Sequence, residues 1–284
     1  MTLVSAPELV DLLDSDRRVV VLDVRWSLAE PDGRAAFAAG HVPGAVYVDL
    51  ESELSDHGVS GRGRHPLPGG ADLQAAVRRW GMNDGDTVVV YDDWNRAGSA
   101  RAWWVLRAAG LGDVRILDGG WPAWLAADGG TEIGETAAVA EGTATVRFDD
   151  LHAGALPTLT ADAAAALARD GVLLDARAPE RFRGEVEPVD AVAGHIPGAV
   201  NLPSVTVLRA DGTFADTTQL KALFAEAGVD GAATVGAYCG SGVTASVVAV
   251  AAAQAGVNLA VFPGSWSQWS SDPSNPVETG DGSD

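Results

Sequence analysis

The stretch Ala237-Tyr238-Cys239-Gly240-Ser241-Gly242-Val243-Thr244-Ala245-Ser246 holds the only cysteine in the chain, where an apolar run gives way to glycines and then to a helical pattern. In a parallel α/β sheet, ligands bind outside the carboxyl ends of strands, and Cys239 falls at that handover. Gly240, Ser241 and Gly242 permit a tight turn in which successive backbone N–H groups converge, and Val243 onward opens a helix. Free amides and the positive end of the helix dipole there favour an anion, here the thiolate, which is the nucleophilic form of cysteine. The bland alternative is a small buried hydrophobe, since free cysteine is among the most buried residue types. The glycine turn, the helix start and the organisation of the rest of the chain favour a reagent.

The elements that position Cys239 occur twice. Leu22-Asp23-Val24-Arg25 returns as Leu174-Asp175-Ala176-Arg177, and Gly40-His41-Val42-Pro43-Gly44 returns as Gly194-His195-Ile196-Pro197-Gly198. Residues 87–92, TVVVYD, match 234–239, TVGAYC, and a G-x-W-x-x-W block at 119–124 returns at 264–269. Four blocks in the same order, each displaced by about 150 positions, mean a duplicated domain rather than a solenoid of roughly 20 to 50-residue repeats. Asp92 stands where Cys239 stands.

Each copy alternates strand and helix. Ser5 and Glu8 form a capping box ahead of an apolar-periodic helix, and 18–24 is a short β-branched strand. In the second copy, a helix over 161–171 precedes the strand 172–177. Further helices are expected at 71–80 and 217–227, and apolar strands at 86–91 and 233–238. This predicts an α/β fold of two tandem domains, each a parallel sheet flanked by helices. The expected boundaries are 1–128 for the first domain, 129–157 for a Gly, Ala and Thr-rich linker, 158–271 for the second domain and 272–284 for a flexible tail.

Composition narrows the function. With 39 acidic and 19 basic side chains, a net charge of -20 opposes binding to phosphate backbones or anionic lipid surfaces. A single cysteine excludes an internal disulfide and any C-x-x-C pair, and fits a reducing cytoplasm. The N-terminus shows no basic segment followed by an apolar one, so no secretory signal is expected. Residues 231–271 carry no charge, but glycines, Asn258 and Pro263 break the run, which reads as a buried α/β core rather than a membrane span. The five histidines lack metal-site spacing, and neither a metal nor a cofactor is expected.

These blocks, with Arg181-Phe182-Arg183-Gly184 and Gly264-Ser265-Trp266, resemble the tandem-domain rhodaneses, the sulfurtransferase family that includes thiosulfate and 3-mercaptopyruvate sulfurtransferases. The resemblance spans about residues 5–271. It implies a catalytically silent first domain, with Asp92 in the nucleophile's place, and a second domain whose loop Cys239–Thr244 carries sulfur as a persulfide. The amides of Gly240, Gly242, Val243 and Thr244 would hold that anion. It further implies a small anionic donor, thiosulfate or 3-mercaptopyruvate, and a thiol, thioredoxin or cyanide acceptor. A thiosulfate enzyme resembles C-R-K-G-V-T here, whereas Cys239-Gly240-Ser241-Gly242-Val243-Thr244 is similar to the mercaptopyruvate branch. In that branch Ser241 is the hydroxyl near the substrate, linked to His41 and an acid such as Asp32, and Arg181 binds the donor's anion. The branch often carries a second arginine before the GH-I-PG block; 185–193 has none, and Arg183 is the available substitute.

The remaining candidates read as framework. His41 and His195 occupy equivalent positions and suit turn-holding roles, although the resemblance also places His41 toward the active site. Asp23, Arg25, Asp175 and Arg177 suit ion pairs at strand ends. Trp121, Trp124, Trp266 and Trp269, at i, i+3 spacing, suit core packing, and Trp26 and Trp94 are expected to line a cleft. A phosphatase of this fold needs an arginine six positions after the cysteine, but position 245 is Ala. A noncatalytic sulfur carrier or binding module is opposed by the complete loop around Cys239.

Overall fold

The computed structural model describes residues 2–231 and 234–281. The chain forms two compact units. Unit 1 takes the chain up to Asp56, Leu67–Leu156 and Ala210–Phe214; unit 2 takes His57–Pro66, Pro157–Arg209 and the chain from Ala215.

In unit 1, β1 (Leu3–Val4), β2 (Val19–Asp23), β3 (Val46–Tyr47), β4 (Thr87–Tyr91) and β5 (Val114–Leu117) form one sheet in the order β1-β5-β4-β2-β3. Every pairing is parallel. The helices are α1 (Ala6–Leu13), α2 (Arg34–Ala39), α3 (Leu50–Glu53), α4 (Gly70–Arg79), α5 (Ala97–Ala108) and α6 (Gly120–Ala126). The expected Ser5/Glu8 capping box opens α1. Strand β4 is buried along its whole length, as a central parallel strand covered on both faces must be.

Unit 2 repeats the plan with β6 (Val172–Asp175), β7 (Val200–Asn201), β8 (Val235–Tyr238) and β9 (Leu259–Val261), in the order β7-β6-β8-β9 and again all parallel. Residue 233, at the start of the expected 233–238 strand, lies outside the described residues. The helices are α7 (Ala161–Asp170), α8 (Pro179–Phe182), α9 (Thr217–Glu226), α10 (Ala245–Ala255) and α11 (Ser265–Trp269). Helix α10 is buried nearly all round, which accounts for its lack of charge. No helix among the described residues is long and apolar enough to cross a membrane.

The same framework holds both strand ends. Tyr91 and Tyr238, the last residues of β4 and β8, each accept an N–H on the hydroxyl, from Val42 and Ile196, both at 3.1 Å. His41 Nδ1 donates to the Phe37 carbonyl at 2.9 Å and His195 Nδ1 to that of Phe182 at 2.8 Å, each ring stacked on its phenylalanine. The guanidinium groups of Arg25 and Arg177 lie 4.8 and 4.7 Å from the ring centroids of Trp121 and Trp266. Trp124, Trp266 and Trp269 are core residues.

Two expected segments behave differently. The 129–157 stretch is not a free linker: through Leu156 it belongs to unit 1, where Glu132 bridges His41 through backbone bonds and caps the Gly44 amide at 2.7 Å. The 272–284 stretch is not a loose end as far as 281. Glu278 bridges His195 and caps the Gly198 amide at 3.0 Å, and the Gly280 amide donates to the Arg183 carbonyl. Each is thus the closing strap of its own copy. Backbone pairing needs no apolar pattern, so composition alone concealed it. Residues 282–284 lie outside the described residues.

The paired strand-end carboxylates differ in quality. Asp175 accepts from the Arg177 amide, Nε and Nη2 at 2.6–3.1 Å. Asp23 accepts the Arg25 amide at 3.2 Å, and its Oδ2 lies 3.1 Å from Arg25 Nη2 without forming a hydrogen bond. Burial pushes the Asp23 carboxyl up to about 6, against the opposing pull of Arg25. A raised folded value means that the folded chain holds a proton the unfolded chain has released. Stability should therefore fall as pH rises from about 4 to about 6, and Asp23→Asn should flatten that slope. Asp175→Asn, which breaks a well-formed buried pair, should cost about 3 kcal/mol; Asp23→Asn should cost less, both read from urea unfolding followed by tryptophan fluorescence.

Candidate active site

Cys239 follows the last residue of β8 and is 1% exposed. The turn after it reverses direction at Gly242, whose φ of +83 suits glycine, and the Gly242 amide donates to Cys239 Sγ at 3.1 Å. A Cβ at Gly242 would lie 2.4 Å from the Pro263 carbonyl oxygen, so both conformation and space restrict this position to glycine. Val243 is buried, and the Val243 and Thr244 carbonyls accept amides from the first turn of α10, those of Ser246 and Val247, both at 3.1 Å.

A shelf formed by the turn from β9 into α11 fixes the loop from below. Ser265 Oγ accepts the Cys239 amide at 3.1 Å and donates to the Phe262 carbonyl at 2.9 Å. The Trp266 and Ser267 amides donate to the carbonyls of Cys239 and Gly240, each at 2.9 Å. The sequence reading did not single out Ser265. Its signal is subtle, because a left-handed serine (φ +53) occupies a position that glycine holds in the first copy.

Ser241 is nearly buried, and its Oγ shares a 2.7 Å hydrogen bond with Nδ1 of His65. The expected partner was His41. That ring is instead fully buried in unit 1, on Phe37, with Nε2 3.3 Å from Thr136 Oγ1. Asp32 is exposed and pairs with Arg34 at 3.1 Å. His65 escaped notice because its segment carries no regular element and meets Ser241 across 176 positions. One signal was available: 57–65 holds two histidines and two arginines with no acid, in a chain of net charge -20.

Arg181, on α8, is oriented by Glu187, with Nη2 2.7 and 2.9 Å from its two carboxylate oxygens. A second guanidinium, that of Arg64, reaches the same place. A Cβ on Gly240 would stand 3.3 Å from Arg64 Nη2 and 3.5 Å from Arg181 Nη1. Asp190 receives both, at 2.7 Å from Arg64 Nη1 and 3.5 Å from Arg181 Nη2. Arg183, the expected substitute, pairs with Glu185 at 2.7 Å and lies 4.0 Å from Asp281, rather than joining this pair. Burial opposes ionisation of Glu187, but the Asp190 amide, Arg181 and the Val189 amide outweigh it and hold its carboxyl below the usual range.

The equivalent handover in unit 1 is filled. Asp92 accepts from the Ser99 amide and hydroxyl, both at 2.8 Å, and lies 3.0 Å from Arg96 Nη2. Burial raises the Asp92 carboxyl above its ordinary value, against the pull of Arg96. Arg96 is itself buried with φ +58, and its guanidinium takes the space a side chain at Gly120 would need. Trp26 and Trp94 pack edge to face at 6.2 Å and line a cavity of about 450 Å³ in unit 1 with Arg25, Asp32 and Asp93.

Comparison with known proteins agrees with this geometry. The Rhodanese-like domain matches residues 5–127 and again 160–272. The chain belongs to the rhodanese family. It is 60% identical to the putative thiosulfate sulfurtransferase SseB of Mycobacterium tuberculosis over 98% of this chain and 97% of that one. It is 43% identical to a probable 3-mercaptopyruvate sulfurtransferase of Pseudomonas aeruginosa, over 94% of each. Among solved structures, SseA of Escherichia coli, a 3-mercaptopyruvate sulfotransferase, superposes with a TM-score of 0.81 at 32% identity, over 94% of this chain and 100% of that one. This rhodanese is accordingly a sulfurtransferase with two family domains. A phosphatase reading has no support in the site, since Ala245 begins α10 as a buried residue where a phosphate-clamping arginine would be needed.

Gly242→Ala tests the loop geometry. It should lower sulfur-transfer kcat by more than about tenfold and cost about 1–3 kcal/mol in unfolding, from a strained backbone and a forced approach to Pro263.

Proposed function

We propose that Cys239 carries the transferred sulfur as a persulfide, and that 3-mercaptopyruvate is the preferred donor. The observation that carries the reading is the placement of Sγ against the Gly242 amide, beside the position where the Arg181 and Ser241 side chains gather around the loop. The Cys239 thiolate attacks the donor's outer sulfur. From 3-mercaptopyruvate the carbon–sulfur bond breaks, pyruvate leaves as its enolate, and the donor's thiol proton ends on the enolate carbon. From thiosulfate the sulfur–sulfur bond breaks and sulfite leaves. In each case a persulfide remains on Cys239, with the loop amides of Gly240, Gly242, Val243 and Thr244 available to its terminal sulfur. Attack by cyanide, a small thiol or the thiolate of a thioredoxin then removes that sulfur and restores the Cys239 thiolate, giving ping-pong kinetics.

Arg181 holds the donor's anionic end, its planar fork suiting a carboxylate. Ser241, oriented by His65, supplies a hydroxyl to the donor's keto oxygen, where negative charge grows as the enolate leaves. Thiosulfate has no keto oxygen, and the charge that leaves with sulfite is spread over its sulfur and three oxygens, so the Ser241–His65 pair favours the keto acid. The 60% identity to a protein named as a thiosulfate sulfurtransferase favours the second reading, thiosulfate as donor. The first unit is silent in this scheme, because Asp92 supplies no sulfur nucleophile and Arg96 fills the space beside it. A lone thiol that must stay reduced between turnovers suits the cytoplasm.

Cys239→Ser should abolish thiocyanate release from both donors and remove the mass increase of one sulfur atom seen when wild type meets donor alone; retained transfer would overturn the mechanism. Ser241→Ala separates the donors. It should lower kcat with 3-mercaptopyruvate about tenfold or more and leave thiosulfate turnover within about threefold, whereas equal losses would favour thiosulfate as the natural donor.

A further inference from the structure

Arg64 has no part in the scheme above, yet it is built into the same place. The Ser267 hydroxyl accepts its amide at 3.0 Å, and Gly63 beside it (φ +86) packs so closely that a Cβ would come within 2.4 Å of the Gly264 carbonyl oxygen. The shelf that fixes the Cys239 loop thus also fixes the backbone of Arg64. Its side chain ends 3.3 Å from the point where a Gly240 side chain would begin, opposite Arg181 at 3.5 Å, and Asp190 stands against both guanidinium groups. Arg64 Nε is buried and has no hydrogen-bond partner.

Charge narrows the ligand. Arg64 and Arg181 are matched one for one by Asp190 and Glu187, so the cluster presents directed N–H groups with little net field. A compact dianion draws most of its binding from net charge, which is largely cancelled here. A planar carboxylate draws on paired, directed N–H groups, which remain.

We propose that Arg64 is the second arm of a two-arginine clamp, held in aim by Asp190, and that the clamp selects donors ending in a carboxylate, namely thiols of α-keto acids, over thiosulfate. This rests on the Cys239 persulfide reading. Gly240 is the complement of the clamp, because any side chain at that position would meet both guanidinium groups.

The test compares wild type, Arg64→Gln, Arg64→Lys and Arg64→Ala, with cyanide as acceptor and 3-mercaptopyruvate or thiosulfate as donor. Arg64→Gln should raise the KM for 3-mercaptopyruvate about tenfold or more, keep kcat within about threefold, and move the KM for thiosulfate less. Arg64→Lys, which keeps the charge but loses the fork, should fall between, and guanidinium ion added to Arg64→Ala should restore part of the lost affinity. Cyanolysis of persulfide already loaded on Cys239 should be unchanged in every variant, since donor binding is over by then. The proposal is overturned if Arg64→Gln keeps the wild-type KM for 3-mercaptopyruvate, if thiosulfate suffers as much or more, or if loaded-persulfide cyanolysis falls in step, which would make Arg64 a prop for the loop. It is also overturned if wild type does not turn over 3-mercaptopyruvate. Failure of the underlying reading looks different: no persulfide would form on wild-type Cys239, whatever stands at position 64.

Discussion

A single left-handed glycine fixes the loop that carries the thiol of Cys239. Gly242 turns the chain out of β8 so that its amide faces back onto Cys239 Sγ, and the Pro263 carbonyl beneath leaves no room for a side chain. From that turn the rest of the second unit follows. The shelf at 262–267 must lie close enough to hold the loop through Ser265, Trp266 and Ser267, and α10 must start directly behind it. Because the loop is held by hydrogen bonds along its length, the sulfur has a fixed direction, which is what an attacking group needs if orientation is to lower its barrier.

The duplication separates what the fold requires from what the reaction requires. Both copies keep a tyrosine hydroxyl under a GH-[VI]-PG amide, a histidine stacked on a phenylalanine, an arginine over a tryptophan, and a glutamate strap across the histidine. These groups hold strand ends and turns and contribute nothing specific to sulfur. At the turn after the central strand the copies part company. One carries a thiol against an open glycine turn, and the other a buried carboxylate stoppered by Arg96. The carboxylate takes the Ser99 amide at the start of α5 from within, and Arg96 occupies the space beside it.

Much of this was legible in the sequence because it is local. The alternation of β-branched strands with helices, the capping box at Ser5 and the position of Cys239 at a strand-to-helix turn all depend on neighbours within a few residues. His65 and Arg64 were not legible, because they reach the loop across more than 170 positions from a segment with no period to betray it. The arginine cluster beside Gly240 was half legible: Arg181 lies in a recognisable block, whereas Arg64 is supplied by a distant stretch and paired with an acid, Asp190, which has no distinctive pattern around it. The two straps failed for another reason. Their bonds are backbone to backbone, and side-chain composition reports poorly on those.

The assignment of His57–Pro66 to the second unit has a consequence for how the two copies can be handled as modules. In chain order Cys239 and its loop fall wholly within the second repeat, which suggests a cut near residue 157 as a natural boundary. An excised second repeat would keep Cys239, the glycine turn and Arg181, yet it would leave Arg64 and His65 behind. A truncation at that boundary would therefore strip the second unit of His57–Pro66, ten residues that it takes from the first repeat, so the compact unit and the sequence repeat are different pieces of chain.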